Sequence, residues 1–142
     1  ETFDQFFPMD VQVATLCDSA HDYNHKLCII GTFDTICSTR LPVVHPQCAI
    51  ALRICFKPGD EGEHDIAINF IDDDGKPKMP PLRSRIAVKL PAEAYFLTRN
   101  LVINIQQLRF DSVGQFSIDV TADGEILTRI PLRVMLVEKD KQ

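Results

Sequence analysis

The segment Ile50-Ala51-Leu52-Arg53-Ile54-Cys55-Phe56 decides the fold class, because a large apolar side chain occupies every second position. A period of two places those side chains on one face of a β-strand and the intervening ones on the other. The alternation recurs at Ile66, Ile68 and Phe70, at Phe116, Ile118 and Val120, and at Ile130, Leu132, Val134 and Leu136. This repetition predicts two sheets that close on one core.

Turn residues divide the chain into about eight predicted strands. The predicted strands cover residues 11–18, 26–36, 49–56, 65–71, 85–90, 101–110, 115–121 and 126–137. They indicate an all-β fold, an antiparallel β-sandwich of immunoglobulin-like or jelly-roll-like Greek-key type. Residues 92–97 are expected to form one short helical turn after Pro91. We expect an N-terminal extension at residues 1–8, a single sandwich domain at 9–137 and a charged C-terminal tail at 138–142.

The apolar faces also suggest strand registers. Asp123-Gly124 is typical of a two-residue turn, but that turn would place Arg129 opposite Ile118 on the core face. A three-residue loop that includes Ala122 places Thr128 there instead, and we expect this second register.

In the first hairpin, pairing Asp18 with Lys26 sends Cys17 and Cys28 to opposite faces. The alternative register pairs the two cysteines directly. Farther along, Gln106-Gln107 interrupts the apolar alternation and predicts a β-bulge. Pro131 lies inside the last strand and predicts an edge position or a bulge. Residues 38–47 and 72–84 are the longest predicted connections.

Composition narrows the class of protein. The chain has 142 residues and a formal net charge of -5, which argues against nonspecific nucleic-acid binding. Residues 1–10 do not resemble a signal peptide, and no apolar stretch approaches the roughly 20 residues that cross a bilayer. The five cysteines include no Cys-x-x-Cys pair, so we expect reduced core residues in a cytoplasmic protein.

Few residues suggest chemistry, and we expect neither an enzyme nor a cofactor. Asp18, His21 and His25 are the densest set of potential metal ligands, although a solvated turn explains them as well. The run 72–74 is contiguous, unlike the alternating acidic residues of an EF-hand, so it predicts a charged loop. Cys48 lies at a loop–strand boundary and is the best candidate for a reactive thiol, but a buried inert thiol is the expected state.

Several blocks resemble a family of small uncharacterised bacterial β-rich proteins, a domain of unknown function. The blocks are residues 16–20, 26–27, 30–34 with 36, 41–42, 45–46, 51–53, 61–64, 71–75, 114–116 and 120–124. The resemblance extends from about Met9 to Val137 and rests on strand and turn patterns. It implies a compact bacterial β domain, with no activity, cofactor or site to transfer.

Three functions remain open. The first is a noncatalytic protein-interaction or self-association module, suggested by the outward positions of Ala67, Asn69 and Ile71 on one strand and of Leu127, Met135 and Val137 on another. Met135 and Val137 would otherwise pack under a terminal segment that contains Phe3, Phe6 and Phe7.

The second function is a small-molecule-binding sandwich with a loop-end pocket. Arg40, Arg83 and Arg85 would hold an acidic group there, and His45 and His64 are the other candidate binding residues. The third is a metal-dependent enzyme at the Asp18, His21 and His25 turn. No partner, ligand or oligomeric state follows from the residues alone.

Overall fold

The alternating segments become β-strands in the computed structural model, which describes residues 9–138. Nine strands are formed: β1 Asp10–Tyr23, β2 Lys26–Thr32, β3 Thr35–Ser38, β4 Val43–Phe56, β5 Gly62–Asp72, β6 Leu82–Val88, β7 Leu97–Phe110, β8 Gly114–Ala122 and β9 Glu125–Leu136. A short 3₁₀ turn, Pro58–Asp60, joins β4 to β5. The helical turn predicted at residues 92–97 is wrong, because these residues form an irregular turn that ends where β7 begins. The predicted extension at residues 1–8 and residues 139–142 of the predicted tail lie outside the described residues.

Two sheets contain these strands. The first sheet is antiparallel with the order β2-β1-β4-β7, and the second has the order β3-β9-β8-β5-β6. The all-β prediction is confirmed, but the prediction of purely antiparallel pairing is wrong, because β3 runs parallel to β9. The predicted strand 26–36 breaks at Phe33 and Asp34, and its last part crosses to the other sheet as a ninth strand. The Greek-key class stays a prediction.

The apolar side chains of both sheets meet in one core. Side chains from β4 of the first sheet and from β5, β8 and β9 of the second belong to the same buried cluster. Its fully buried large members include Leu52, Phe56, Phe70 and Ile118. The period-two positions therefore face each other between the sheets, as the alternation predicted.

The β8–β9 hairpin combines a two-residue turn with a bulge. Ala122 pairs with Glu125 around Asp123-Gly124, and the register then shifts by one residue between Val120 and Thr121. Because Leu127 is the extra residue, Ile118 pairs with Ile130 and not with Thr128, so the expected three-residue loop is wrong. The bulge restores the match of apolar faces without lengthening the turn.

The charged side chain of Arg129 lies on the outer face of this hairpin. Arg129 pairs with Asp119, and its Nε lies 3.5 Å from Asp119 Oδ2. Asp119 is only 4% exposed and also accepts a hydrogen bond from the Ser117 hydroxyl. The observed register keeps Arg129 out of the core. It also gives the buried Asp119 carboxylate two partners, Arg129 and Ser117.

The first hairpin is longer than predicted. Tyr23 pairs with Lys26 around the turn Asn24-His25, and Cys28 lies opposite His21. Both turn residues have positive φ, 51° and 65°, as a tight two-residue hairpin turn requires. The predicted pairing of Asp18 with Lys26 is therefore wrong, since the polar run after Asp18 continues the strand. The alternative pairing of Cys17 with Cys28 does not form either.

The end of this hairpin, residues 18–32, leaves β4 and covers the outer face of the first sheet; we call it the hairpin arm. β1 pairs with β4 only as far as Cys17. Beyond that point Ala20, Leu27 and Ile29 pack on a set of small side chains from β4 and β7. Those partners are Ala49, Ala51 and Val102.

Arg53 fastens the tip of the hairpin arm to the sheet. Its Nη1 donates to the His25 carbonyl at 3.2 Å and to Asn100 Oδ1 at 2.7 Å, and its Nε donates to Gln12 Oε1 at 3.1 Å. Asn100 in turn donates to Asp22 at 3.4 Å. One half-buried arginine of β4 thus joins β1, β7 and the turn of the hairpin arm.

The chain irregularities have distinct origins. Gln107 has a φ of 58°, yet the β4–β7 register is continuous through it, so the predicted bulge there is a local distortion without an inserted residue. Pro131 pairs with Ser117 on one side, and β3 pairs with β9 only from Arg133 onward on the other. The predicted edge position of Pro131 is therefore confirmed locally, within a strand that is otherwise central.

We predict that Gly31→Ala destabilises the fold, because Gly31 has a positive φ and lies close to Asp18. Gly31 has a φ of +70°, and an added Cβ would lie 2.6 Å from Asp18 Oδ2. The combined strain should cost about 1–3 kcal/mol in the free energy of unfolding, measured by urea titration. Gly59→Ala is the matched control, because no atom lies within 4 Å of its Cβ. Equal stability of the two variants would contradict the strain that we expect at position 31.

Candidate interaction surface

Strand β7 presents a long edge without a partner strand. It contains 14 residues and lies at the end of the first sheet, so only β4 pairs with it among residues 9–138. The backbone N–H and C=O groups on its other edge are available for a further strand. Edge strands of this length are usually shielded by charge, proline or a bulge.

Two features bound the free part of this edge. Arg99 reaches across to β6, where its Nη1 donates to the Ala87 carbonyl at 3.0 Å. At the other end, the positive φ of Gln107 interrupts the extended backbone. Between them lie residues 100–106, which contain neither charge nor proline. We call these seven residues the free edge.

The side chains of the free edge divide cleanly between two faces. Leu101, Ile103 and Ile105 point to the main core, and Leu101 and Ile103 are only partly buried there. Asn100 and Val102 point to the outer face, where Val102 contacts the hairpin arm. The core therefore has incompletely covered apolar side chains along this edge.

A second exposed apolar region lies at the opposite side of the fold. Met135 and Val137 are 44% and 43% exposed, which confirms their predicted outward positions. Leu127 is different, since its bulge turns it against the core, so its predicted outward position is wrong. The suggested cover for Met135 and Val137 by Phe3, Phe6 and Phe7 lies outside the described residues.

A shallow cleft of about 510 Å³ lies beside these residues. It is lined by Val113, Gly114, Gln115, Arg133, Val134, Met135 and Leu136. Arg133 donates from Nε to the Thr35 hydroxyl at 2.9 Å and forms no ion pair within residues 9–138. The sequence did not predict a role for Arg133, because its partner Thr35 lies on β3, which was not expected to pair with β9.

The three arginines of the predicted pocket lie apart. Arg83 and Arg85 are on β6, and Arg40 follows β3, at opposite ends of the five-stranded sheet. Arg85 forms an ion pair with Glu63 at 2.9 Å. The structure thus brings Arg83 and Arg85 to one strand but does not bring Arg40 to them.

The two candidate histidines have structural partners. His45 lies in β4, not in a loop, and its ring centroid is 5.1 Å from that of Phe33. His64 lies at the start of β5 and contacts Asp123 and the Asp60 carbonyl. His45 belongs to the first sheet and His64 to the second.

The potential metal ligands do not converge in the first hairpin. His21 Nε2 lies 3.0 Å from the Ser19 hydroxyl, and Asp18 lies against Gly31. The described residues contain one group of three close potential ligands, the exposed run Asp72, Asp73 and Asp74. Asp72 accepts hydrogen bonds from the Lys76 and Asp74 amides, which lower the pKa of its carboxyl and close the turn.

The cysteine thiols differ strongly in their exposure to solvent. All five cysteines are free; Cys17, Cys48 and Cys55 are buried, whereas Cys28 and Cys37 are exposed. Burial first, and then the nearby Cys17 and Asp18, raise the pKa of Cys48 to about 11. Cys48 was the best sequence candidate for a reactive thiol, and its expected burial is confirmed.

We predict that a thiol-specific alkylating reagent labels the folded protein at Cys28 and Cys37 only. Attack requires a thiolate that the reagent can reach, and burial denies this to the other three thiols. Mass spectrometry after short exposure should show two labels, and five after denaturation. Rapid labelling of Cys48 in the folded protein would contradict the described core.

Comparison with known proteins places this fold in a family. The described residues contain no helix that would span a bilayer. No curated protein shows significant similarity to the chain. The profile of a family of unknown function, DUF6941, matches residues 12–135 and so covers both sheets. The chain therefore belongs to this family of unknown function.

Proposed function

We propose that this protein is a noncatalytic self-association module that pairs with a second copy of itself along β7. The observation that carries the proposal is the symmetry of the free edge about Ile103. Arg99 and Gln107, which bound it, lie four residues on either side of Ile103. An antiparallel pair of identical strands needs this kind of symmetry, because each residue meets its mirror position across the two-fold axis.

The residue pairs of such a ladder are compatible. Centred on Ile103, it places Leu101 opposite Ile105 on the core side and Asn100 opposite Gln106 on the outer side. No like charges oppose each other between residues 100 and 106. Seven residue pairs would supply roughly six to eight backbone hydrogen bonds. The pairing would also join two four-stranded sheets into one of eight strands.

Self-association would also bury the apolar side chains that are only partly covered along the free edge. The partly buried Leu101 would gain cover from Ile105 of the second copy, and the partly buried Ile103 from Ile103 of the second copy. The uncharged, β-branched composition of residues 100–106 favours pairing with another strand. As part of the same proposal we infer a reducing, cytoplasmic compartment, which the five free cysteines support.

A second candidate is small-molecule binding in the cleft beside Arg133. The guanidinium lies beside Val113, Met135 and Leu136, a combination that suits an apolar acid. This differs from the pocket of Arg40, Arg83 and Arg85 expected from the sequence. The cleft is shallow, so we rank it below self-association.

The self-association proposal predicts complementary behaviour of two charge variants. Ile103→Lys and Ile103→Glu should each be monomeric by light scattering, because each puts like charges face to face at the two-fold axis. We expect the association to weaken by about tenfold or more. Mixing the two variants should restore the dimer, since Lys then faces Glu across the axis.

Ile126→Lys is the matched control, because Ile126 is an exposed isoleucine of the other sheet. It should leave the wild-type dimer intact, and circular dichroism should show that every variant is folded. A monomeric wild-type protein at high concentration would refute self-association. A dimer that neither Ile103 variant disturbs would place the interface elsewhere.

A further inference from the structure

His64 connects two turns at one end of the fold. Its Nδ1 lies 2.7 Å from Asp123 Oδ2, in the turn between β8 and β9. Its Nε2 lies 2.5 Å from the Asp60 carbonyl oxygen, in the turn between β4 and β5. The imidazole also stacks on Phe56, with the ring planes 20° apart, and its side chain is only 14% exposed.

Both contacts demand a donor on the histidine. A backbone carbonyl oxygen only accepts hydrogen bonds, and so does an ionised carboxylate. A neutral imidazole has one N–H, so it can donate to only one of these two oxygens. The observed geometry therefore corresponds to the doubly protonated, positively charged form of His64.

The two acceptors are themselves held in place. Asp123 Oδ1 accepts from the Asp65 amide at 2.9 Å, and the Asp123 amide donates to the Asp65 carbonyl at 2.9 Å. Asp60 Oδ2 accepts from the Lys57 amide at 2.8 Å, which closes the 3₁₀ turn. Next to that turn, Glu61 accepts from the Leu90 amide at 2.8 Å. The β4–β5 turn thus also holds the connection that leads to β7.

The charged groups around the ring are mostly acidic. The β8–β9 turn contributes Asp123, and the β4–β5 turn contributes Lys57, Asp60 and Glu61. The neighbours of His64 on β5 are Glu63 and Asp65, and β6 contributes Arg85, which is paired with Glu63. Phe56 of β4 adds no charge. Glu63, Asp65 and Arg85 lie on the opposite face of the sheet from His64, so the charges that favour a cation at the ring are those of Asp123 and Asp60.

We propose that His64 is a pH-dependent bridge between the β4–β5 and β8–β9 turns. Below its pKa the imidazolium holds both turns. Above its pKa the remaining N–H stays with the Asp123 carboxylate, and the bare Nε2 faces the Asp60 carbonyl without a proton between them. That contact opens, and the β4–β5 turn loses its tie to the β8–β9 turn.

The local electrostatics set the direction of this change. Partial burial alone would lower the pKa of His64, but the hydrogen bonds to Asp123 and Asp60 and the charges of both residues outweigh it, so the pKa is raised. The stabilisation is therefore complete below the ordinary histidine value and is lost as pH rises through the folded-state pKa. The pKa of Asp123 is lowered, first by the Asp65 amide, so its side of the bridge fails only in acid.

NMR titration of the full chain tests this bridge. The ring nitrogens of His64 should both carry protons below a midpoint that lies above the ordinary value of about 6.5. The amides of Asp60, Glu61 and Gly62 should shift with the same midpoint. In His64→Phe, which keeps an aromatic ring beside Phe56, those amide shifts should disappear.

Two further variants complete the test. His45→Phe replaces another histidine that lies beside a phenylalanine, and it should leave the titration of residues 60–62 unchanged. Asp123→Asn removes the carboxylate partner and should lower the His64 midpoint, which keeps the test usable if His64→Phe does not fold. A His64 ring that carries only one proton near pH 7 and just below would overturn the proposal. Unchanged titration of residues 60–62 in His64→Phe would do the same.

Discussion

Each β-strand has hydrogen-bonding groups along two edges, and the need to satisfy both edges organises this molecule. The parallel strand β3 covers the end of β9 from Arg133 onward. Where that cover stops, Pro131 occupies the strand and needs no partner for an amide proton. At the other sheet, β7 retains an uncovered edge among residues 9–138. This edge is the one along which we propose that a second copy of the chain pairs.

The period-two pattern predicted most of the large side chains of the core, although Leu136, at the end of its last run, is 49% exposed. Ile50, Leu52, Ile118 and Ile130 all lie in the core as the alternation required. Pairing between strands was harder, because one inserted residue exchanges the two faces of a strand. The sequence around Leu127 does not show that it is the extra residue of a bulge, whereas Asp123-Gly124 is a clear turn signal. The expected β8–β9 register was wrong for this reason, whereas the first hairpin was wrong because the polar residues after Asp18 continue the strand.

The candidate sites were less accessible to sequence analysis than the core. Arg40 and Arg83 were expected to share a pocket, and only the sheet order separates them. His64 was expected only as a candidate binding residue, and its contact with Asp123 was not expected because Asp123 lies 59 residues away in sequence. The free edge of β7 could not be found without knowing that β7 is terminal in its sheet. Long-range topology therefore determines each of these sites.

Amide hydrogen exchange of β7, resolved by residue, tests the central claim most directly. In a monomer, every second amide between residues 100 and 106 bonds to β4 and exchanges slowly, while the others face solvent and exchange fast. Pairing of two copies along this edge predicts that all seven amides become slow as the protein concentration rises. Fast exchange at alternate positions at every concentration would contradict self-association through β7.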